Sequence, residues 1–373
     1  MLKFAVIGTG RMGKRHAFNL NLRLLNKVKL VAICDNDPAA LKSCSKLAPK
    51  AKQYLDYREM LEKEILDGVI IATEHYGHEE IAIYCIEHGV NTLIEKPISV
   101  TTAAAKRIIS ASEANPLVKV GVSFNQRSNR MYRKAKELIS SGKMGDIVRA
   151  NFTISDWYRS QAYYNQGSWR ASYNGEGGGA LINQCIHQLD VLQWLIGMPT
   201  SVTSKLNTVN RNITVENDIS AMLNYEDYFC MFSASTHEIK GTNRLEIACD
   251  KGKIVIGTLS MRVWKHKSER LVNEKTKKGY GFALSSLFIR SYGFFTLLAD
   301  IIKGQQLRSI RAFANDIMGK GKMLATAKEG LNSISLINAI YLSNWLNKEI
   351  SLPIDDEEYQ KELNIKCVEE TKQ

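Results

Sequence analysis

Apolar and polar residues alternate along the chain in two different rhythms. In the first part, short continuous apolar runs are separated by stretches of helical spacing. The runs are KFAVI (3–7), KLVAICD (29–35), DGVIIAT (67–73), VNTLIEKP (90–97) and VKVGVSF (118–124). Runs rich in Val and Ile and bounded by turn residues predict strands buried on both faces, as in a parallel sheet. HAFNLNLRLL and HEEIAIYCIEHG carry helical spacing between them, the second ended by Gly89. From about Asp146 the period becomes two. IVRANFTIS, TSVTSKLNTV, ISAMLNY, YFCMFSAST, NRLEIACD and GKIVIG alternate apolar with polar positions, which predicts antiparallel strands.

The first strand runs into GTGRMG, which sets Gly8, Gly10 and Gly13 in a G-x-G-x-x-G pattern around Arg11 and Met12. A helix and a second strand follow, and that strand ends at Asp35. Strand, glycine turn, helix, strand and acid together predict a dinucleotide site. Gly8 suits the tight turn, Gly10 lets backbone approach a pyrophosphate, and Gly13 lets helix and strand pack closely. The helix N-terminus then offers N–H groups to the phosphates. Asp35 suits the adenosine ribose hydroxyls and repels a 2′-phosphate, so NAD is expected ahead of NADP; Arg11, which could reach a phosphate, pulls the other way. Thr73, Glu95, Lys96, Pro97, Phe124 and Asn125 fall at the carboxyl ends of later strands, where ligands of such sheets bind.

GGGALINQCIHQLDVLQWLIG (177–197) opens on three glycines and reads as one helix. Asn183, His187 and Asp190 then lie at i, i+4 and i+7, a shared polar face. Oxidation of a secondary alcohol needs a base for the hydroxyl proton and a donor or cation for the oxygen. An imidazole suits the first task and a lysine either. Asp190 suits orienting the imidazole or, equally, a structural pairing. The same trio could be half of a metal site, but no other His, Cys or Asp cluster completes it, so no metal is expected. WYRSQAYYNQGSWR (157–170) interleaves aromatics with arginine, a composition suited to sugar stacking and to capture of phosphate or carboxylate.

These motifs resemble the glucose-fructose oxidoreductase / inositol dehydrogenase (Gfo/Idh/MocA) family. The likeness rests on VIGTGRMG, on AT-x4-H from Thr73 to His78, on EKP at 95–97, and on the 177–197 stretch, in that order. It implies an α/β chain: a Rossmann doubly wound parallel sheet over 1–124, then an α+β domain with a large, mostly antiparallel sheet over 125–373. It implies NAD-dependent oxidoreduction of a sugar, polyol or nucleotide sugar. By the same likeness Lys96 helps bind the nicotinamide ribose and the reacting oxygen, and His187 is the catalytic acid/base. Asn183 stands where many relatives have Asp. An amide takes no proton, so Asn183 can only orient. The N-Q-x-x-H form is similar to the nucleotide-sugar 3-dehydrogenase subgroup. Glu74 replaces a proline common after the threonine. The cofactor set expected is Gly8, Gly10, Arg11, Met12, Gly13, Asp35, Thr73, His78, Glu95, Lys96, Asn125, Trp169 and Arg170. The substrate set is Lys96, Tyr158, Arg159, Arg170, Asn183 and His187. A homodimer or homotetramer is implied through the open sheet.

Composition alters this picture little. Hydrophobic residues at 45% and charged residues at 24% fit a globular chain of two domains. Seven cysteines without a CxxC pair, an N-terminus that turns early to glycine, and no apolar run of about 18 residues point to a cytoplasmic chain. The net charge of +12 is concentrated: residues 262–322 hold thirteen Lys and Arg against four Asp and Glu. A basic half followed by an apolar half, over 262–308, reads as an insertion, either a substrate lid or a subunit contact. Peripheral contact with an anionic membrane is the lesser reading, and nucleic acid is not expected. The expected activity is therefore hydride transfer between a sugar ring hydroxyl and NAD, on a nucleotide sugar first and a free sugar or inositol second. A non-catalytic NAD- and sugar-binding sensor is the alternative of another class, and a redox-assisted glycosidase a remote third.

Overall fold

The computed structural model describes residues 1–22, 25–166, 169–275, 287–292 and 304–372. The chain divides into two compact units, Met1–Ser128 with Gly175–Gly177 and Lys303–Ile334, and Asn129–Asn174 with Gly178–Ile302 and Ser335–Gln373. Unit 1 is thus built from three stretches of the chain.

Among the described residues unit 1 holds six parallel strands, β1 (Leu2–Ile7), β2 (Val28–Cys34), β3 (Lys52–Tyr54), β4 (Gly68–Ile71), β5 (Asn91–Ile94) and β6 (Val120–Val122). Their order is β3-β2-β1-β4-β5-β6, so the winding reverses between β1 and β4. That reversal opens the crevice where doubly wound sheets bind ligands. Phe4, Val6, Ile33, Ile70 and Leu93 are buried in one core with Leu20 of the first helix. The helix Gln305–Ile317 joins this core through Ile310, Phe313 and Ala314, and Phe313 meets Phe4 edge to face at 6.0 Å.

Among the described residues unit 2 holds nine strands, with β13 (Met261–Lys265) and β14 (Leu287–Tyr292) at one edge and β15 (Ile350–Ser351) at the other, in the order β14-β13-β12-β11-β7-β10-β9-β8-β15. The central ones are β7 (Ile147–Ile154), β8 (Ser201–Asn207), β9 (Asp218–Asn224), β10 (Phe229–Ser235), β11 (Asn243–Cys249) and β12 (Gly252–Gly257). All pairs are antiparallel except β7 with β10. The period-two pattern maps onto the two faces. Ala150, Phe152, Ile219, Leu223, Cys230, Phe232, Leu245 and Ile247 are buried, while Met222, Phe229 and Met231 stand exposed. The end of the helix Ala327–Leu346 is bonded to β8, Ser204 Oγ donating to the Ile340 carbonyl at 2.6 Å.

Of the basic and apolar segment 262–308, residues 276–286 and 293–303 lie outside the described residues. Its described parts include the helix Glu269–Lys275 and the strands β13 (Met261–Lys265) and β14 (Leu287–Tyr292), which extend one edge of the nine-stranded sheet.

Candidate functional site

In unit 1 the glycine turn links β1 to the helix Arg11–Asn21. No side chain caps Gly10, and the first turn carries no acidic residue. Its N–H groups therefore remain directed beyond the sheet edge. A Cβ on Gly13 would fall 1.8 Å from the Gly8 carbonyl oxygen, so close packing of helix on strand demands glycine there. Nothing lies within 4 Å of where a Gly10 Cβ would sit. An open glycine at an uncapped helix N-terminus fits a pyrophosphate, held by the backbone of Gly10, Arg11, Met12 and Gly13.

Asp35 follows β2 and is half-buried. Its Oδ2 accepts from the Thr9 amide (2.5 Å) and Thr9 Oγ1 (2.9 Å), and its Oδ1 from the Asp37 amide (2.9 Å). A carboxylate has about four acceptor sites. One therefore remains for a ribose hydroxyl, while a 2′-phosphate would meet two acids, Asp35 and Asp37. Asp35→Asn is expected to weaken NAD binding by about 10-fold and to narrow the preference over NADP. Fluorescence titration with NADH and NADPH measures both, and an unchanged ratio contradicts the assignment.

Lys96 is half-buried just beyond β5. The residue before it, Glu95, is buried, taking His16 Nε2 on Oε1 (2.7 Å) and the Lys96 amide on Oε2 (3.3 Å). The residue after it, Pro97, gives its carbonyl to His78 Nδ1 at 2.8 Å. His78 Nε2 lies 3.3 Å from the Thr73 carbonyl, and burial holds this histidine below its ordinary pKa against the raising effect of the two carbonyls. One buried histidine thus holds the backbone carbonyl after Lys96, and a second holds the Glu95 carboxylate that also takes the Lys96 amide. The side chains of Glu95 and His78 carry this support from inside the unit, and Thr73 is held by the same ring. Asn125 opens the 3-10 turn Asn125–Ser128 after β6, and its Oδ1 is buried with no partner among the described residues. That leaves one unspent acceptor at the carboxyl edge of the sheet.

In unit 2 the expected single helix is interrupted. A short helix, Ala180–Asn183, gives way to Ile186–Ile196. Between them the amides of Gln184 and Cys185 both donate to the Ala180 carbonyl at 2.9 Å, the second a five-residue, π-type turn. Such turns recur at functional sites because they re-aim side chains. Asn183 and His187 flank it and are half-buried. Asp190 is fully buried and accepts from Gln193 Nε2 at 3.1 Å. The polar stripe expected from ideal spacing is therefore divided, with Asp190 turned into the interior.

The glycines before this segment make room for a buried network. Gly178 has φ +144°, and a Cβ there would lie 2.0 Å from Tyr341 Oη. Tyr341 Oη donates to Glu216 Oε1 (2.9 Å) and accepts from the Gly179 amide (3.1 Å). Glu216 also accepts from the Leu181 amide (2.8 Å) and the Gly179 amide (3.2 Å). Burial pushes its carboxyl up to about 7 against the lowering effect of these donors. Glu216 thereby fixes the start of the segment carrying Asn183 and His187. The sequence offered no signal for it beyond one acid beside Val215.

The aromatic and arginine segment gathers around Tyr163. The guanidinium of Arg159 lies 4.9 Å and that of Arg170 5.5 Å from its ring, and Arg170 lies 4.6 Å from the Trp169 ring. Gln184 Nε2 donates to Tyr163 Oη at 3.0 Å, tying the cluster to the segment of Asn183 and His187. Ala171, next to Arg170, holds φ +52°, a strained value for a residue with a side chain. Arg211, from the connection between β8 and β9, joins the group 5.3 Å from the exposed ring of Tyr158. Its neighbours in sequence gave no reason to place it there. Among the described residues, no three His, Cys, Asp or Glu side chains come together as a metal site.

Comparison with known proteins gives matches along most of the chain. Residues 2–124 match a model described as the oxidoreductase family, NAD-binding Rossmann fold, and residues 132–255 match the GFO/IDH/MocA C-terminal domain. Inositol 2-dehydrogenase of Burkholderia multivorans is 31% identical over 202 residues, 52% of this chain and 55% of the relative. That of Salmonella paratyphi B is 27% identical over 202 residues, 52% of this chain and 54% of the relative. The chain thus spans about half the length of the curated relatives it matches. The WlbA dehydrogenase from Bordetella pertussis, solved with NADH and UDP-GlcNAcA, superposes with a TM-score of 0.78 at 24% identity, covering 95% of this chain and 99% of that one. Levoglucosan dehydrogenase with NADH and levoglucosan has a TM-score of 0.78 at 21% identity, covering 94% and 99%.

Proposed function

The chain belongs to the Gfo/Idh/MocA family of NAD-binding Rossmann oxidoreductases, and from that premise we propose that it oxidises a ring hydroxyl of a sugar, with a nucleotide sugar as its substrate class. The observation that carries the reading is the mount of Lys96. A cation is flanked by a carboxylate and a backbone carbonyl that buried histidines hold, at the carboxyl edge of a sheet whose glycine turn fits a dinucleotide. The inositol dehydrogenases and the sugar-bound WlbA and levoglucosan dehydrogenases support the choice of a sugar hydroxyl.

NAD, when bound, supplies the hydride acceptor. The chain's own residues do the rest. Lys96 Nζ holds the reacting oxygen and stabilises the charge that builds on it. His187 takes the hydroxyl proton, the task an imidazole performs most often in general acid–base catalysis. Asn183 offers a donor and an acceptor that orient the sugar and take no proton. Aromatic rings at Tyr158, Tyr163 and Trp169 offer faces for stacking.

On the outer sheet face Met222 of β9 lies directly opposite Met231 of β10, with Phe229 exposed nearby. An apolar patch on an open sheet suits a second copy of the chain, and a homodimer or homotetramer is part of this reading.

NADH formation by the purified protein with NAD, across UDP-sugars, free sugars and inositols, tests the function. Turnover with a UDP-sugar is the expected result. Turnover of inositol or a free sugar alone overturns the substrate class. Confirmed NAD binding with no turnover in either direction overturns the activity.

A further inference from the structure

Two arginines, Arg159 and Arg211, lie in the aromatic cluster of unit 2 without an ion-paired acid among the described residues. Arg159 and Arg211 make no ion pair with any carboxylate among the described residues. Arg159 Nη1 donates to the Tyr158 carbonyl at 3.0 Å. Arg211 donates from Nε to the Arg159 carbonyl at 2.7 Å and from Nη1 to the Asn210 carbonyl at 2.5 Å. The Arg211 guanidinium is therefore held against the backbone of Arg159, and both side chains spend their hydrogen bonds only on backbone carbonyls. Arg159 Nε and Arg211 Nη2 are shielded from solvent and have no partner among the described residues. Shielded donors on two cations without acids are unfavourable until an acceptor arrives, and an anion is the acceptor that relieves both the charge and the unmet N–H groups.

The setting also selects the kind of anion. A guanidinium fork matches two oxygens of one phosphoryl or carboxylate group. The rings beside the arginines, Tyr158 at the surface and Tyr163 beneath, give flat faces for the organic part of the ligand. Tyr163 is bonded to Gln184, the residue after Asn183. An oxyanion seated here would be anchored within one hydrogen bond of the segment that carries His187.

We propose that Arg159 and Arg211 form an oxyanion-binding subsite that takes a phosphoryl group of the substrate, so that nucleotide sugars are bound in preference to neutral polyols. The proposal deepens the sugar-oxidoreductase reading and rests on it for the word substrate. The subsite itself can be tested without turnover.

The experiment is calorimetric titration of the full chain with UDP, uridine and D-glucuronate, in wild type, Arg159→Ala, Arg211→Ala, Arg159→Lys and Arg211→Lys. NAD affinity in each variant serves as the check on folding. UDP is expected to bind the wild type and to lose about 10- to 30-fold in each alanine variant, with uridine weak throughout and NAD unchanged. The lysine variants keep the charge and lose the fork, so they should fall between, and they stand in if an alanine variant fails to fold. Equal UDP affinity in wild type and variants overturns the subsite. Arginine-dependent binding of glucuronate but not UDP overturns the phosphoryl assignment. Arginine-dependent UDP binding without oxidation of any sugar leaves the subsite standing and sinks the reaction. Oxidation of a neutral sugar, untouched by the arginine variants and with no UDP binding, does the reverse.

Discussion

Lys96→Ala is expected to lower kcat/KM for sugar oxidation by about 10³-fold, the usual scale for removing a group that stabilises charge on the reacting oxygen. The loss should be chemical, not structural. The backbone at 95–97 is held by Glu95 on His16 and by His78 on the Pro97 carbonyl, and neither contact involves the lysine side chain. Alanine therefore leaves the mount in place, and the melting temperature should hold within a few degrees. Binding of NAD should weaken by less than about 5-fold, since most of its contacts come from the glycine turn and Asp35. Lys96→Arg should recover little, because a wider planar cation does not replace a point charge in a half-buried position. Steady-state kinetics beside an NADH titration separates these terms. A drop under 10-fold, or a parallel collapse of NAD affinity, would remove Lys96 from the chemistry. His187→Asn should show a comparable loss of kcat, about 10²- to 10⁴-fold, together with loss of the limb of the pH profile that reports its ionisation.

Much of unit 1 could be read in advance because its signals are local. A glycine turn between a strand and a helix constrains residues within one supersecondary unit, and apolar runs of four to seven residues mark strands wherever they pair. The helix Gln305–Ile317 could not be placed that way. Its apolar stripe says that it packs, and nothing in it says that Phe313 meets Phe4 across three hundred residues of chain. The π-type turn after Asn183 was hidden for a related reason. Helical spacing assumes an unbroken period, and one five-residue turn is enough to divide Asn183 from the helix that carries His187 and the buried Asp190. The arginine cluster was half legible. Arg159 and Arg170 sit in one aromatic segment, but Arg211 arrives from a loop fifty residues on, and its role depends on the absence of a nearby carboxylate, which no spacing reveals. Glu216 is the extreme case, one acid before a strand whose character comes entirely from being enclosed.

That enclosure carries the second large expected effect. Lowering the pH from 8 to 5 is expected to stabilise the wild-type chain by about 2–3 kcal/mol relative to Glu216→Gln. Burial pushes the folded-state carboxyl up to about 7 from an ordinary value of 4.5. Between those values the folded chain keeps a proton that the unfolded chain has released. The stabilisation is therefore fully present below pH 4.5 and is lost as pH rises through 7. The groups that face Glu216 do not obscure this window. Tyr341, Tyr173, Tyr164 and Cys185 are all pushed up by burial and remain neutral throughout it. Lys366, Glu369 and Glu370 line the cavity of about 200 Å³ beside it and are present in both proteins, so their contributions cancel in the comparison. Glutamine keeps the shape but sets an N–H₂ against one of the three donors, at Gly179, Leu181 or Tyr341, which removes a bond at every pH. Urea unfolding at several pH values, followed by circular dichroism for both proteins, measures the difference. Converging curves at high pH and diverging curves at low pH are expected. Parallel curves would mean that Glu216 ionises in the folded chain as it does in water, and that the start of the Asn183 and His187 segment is held by an ordinary carboxylate.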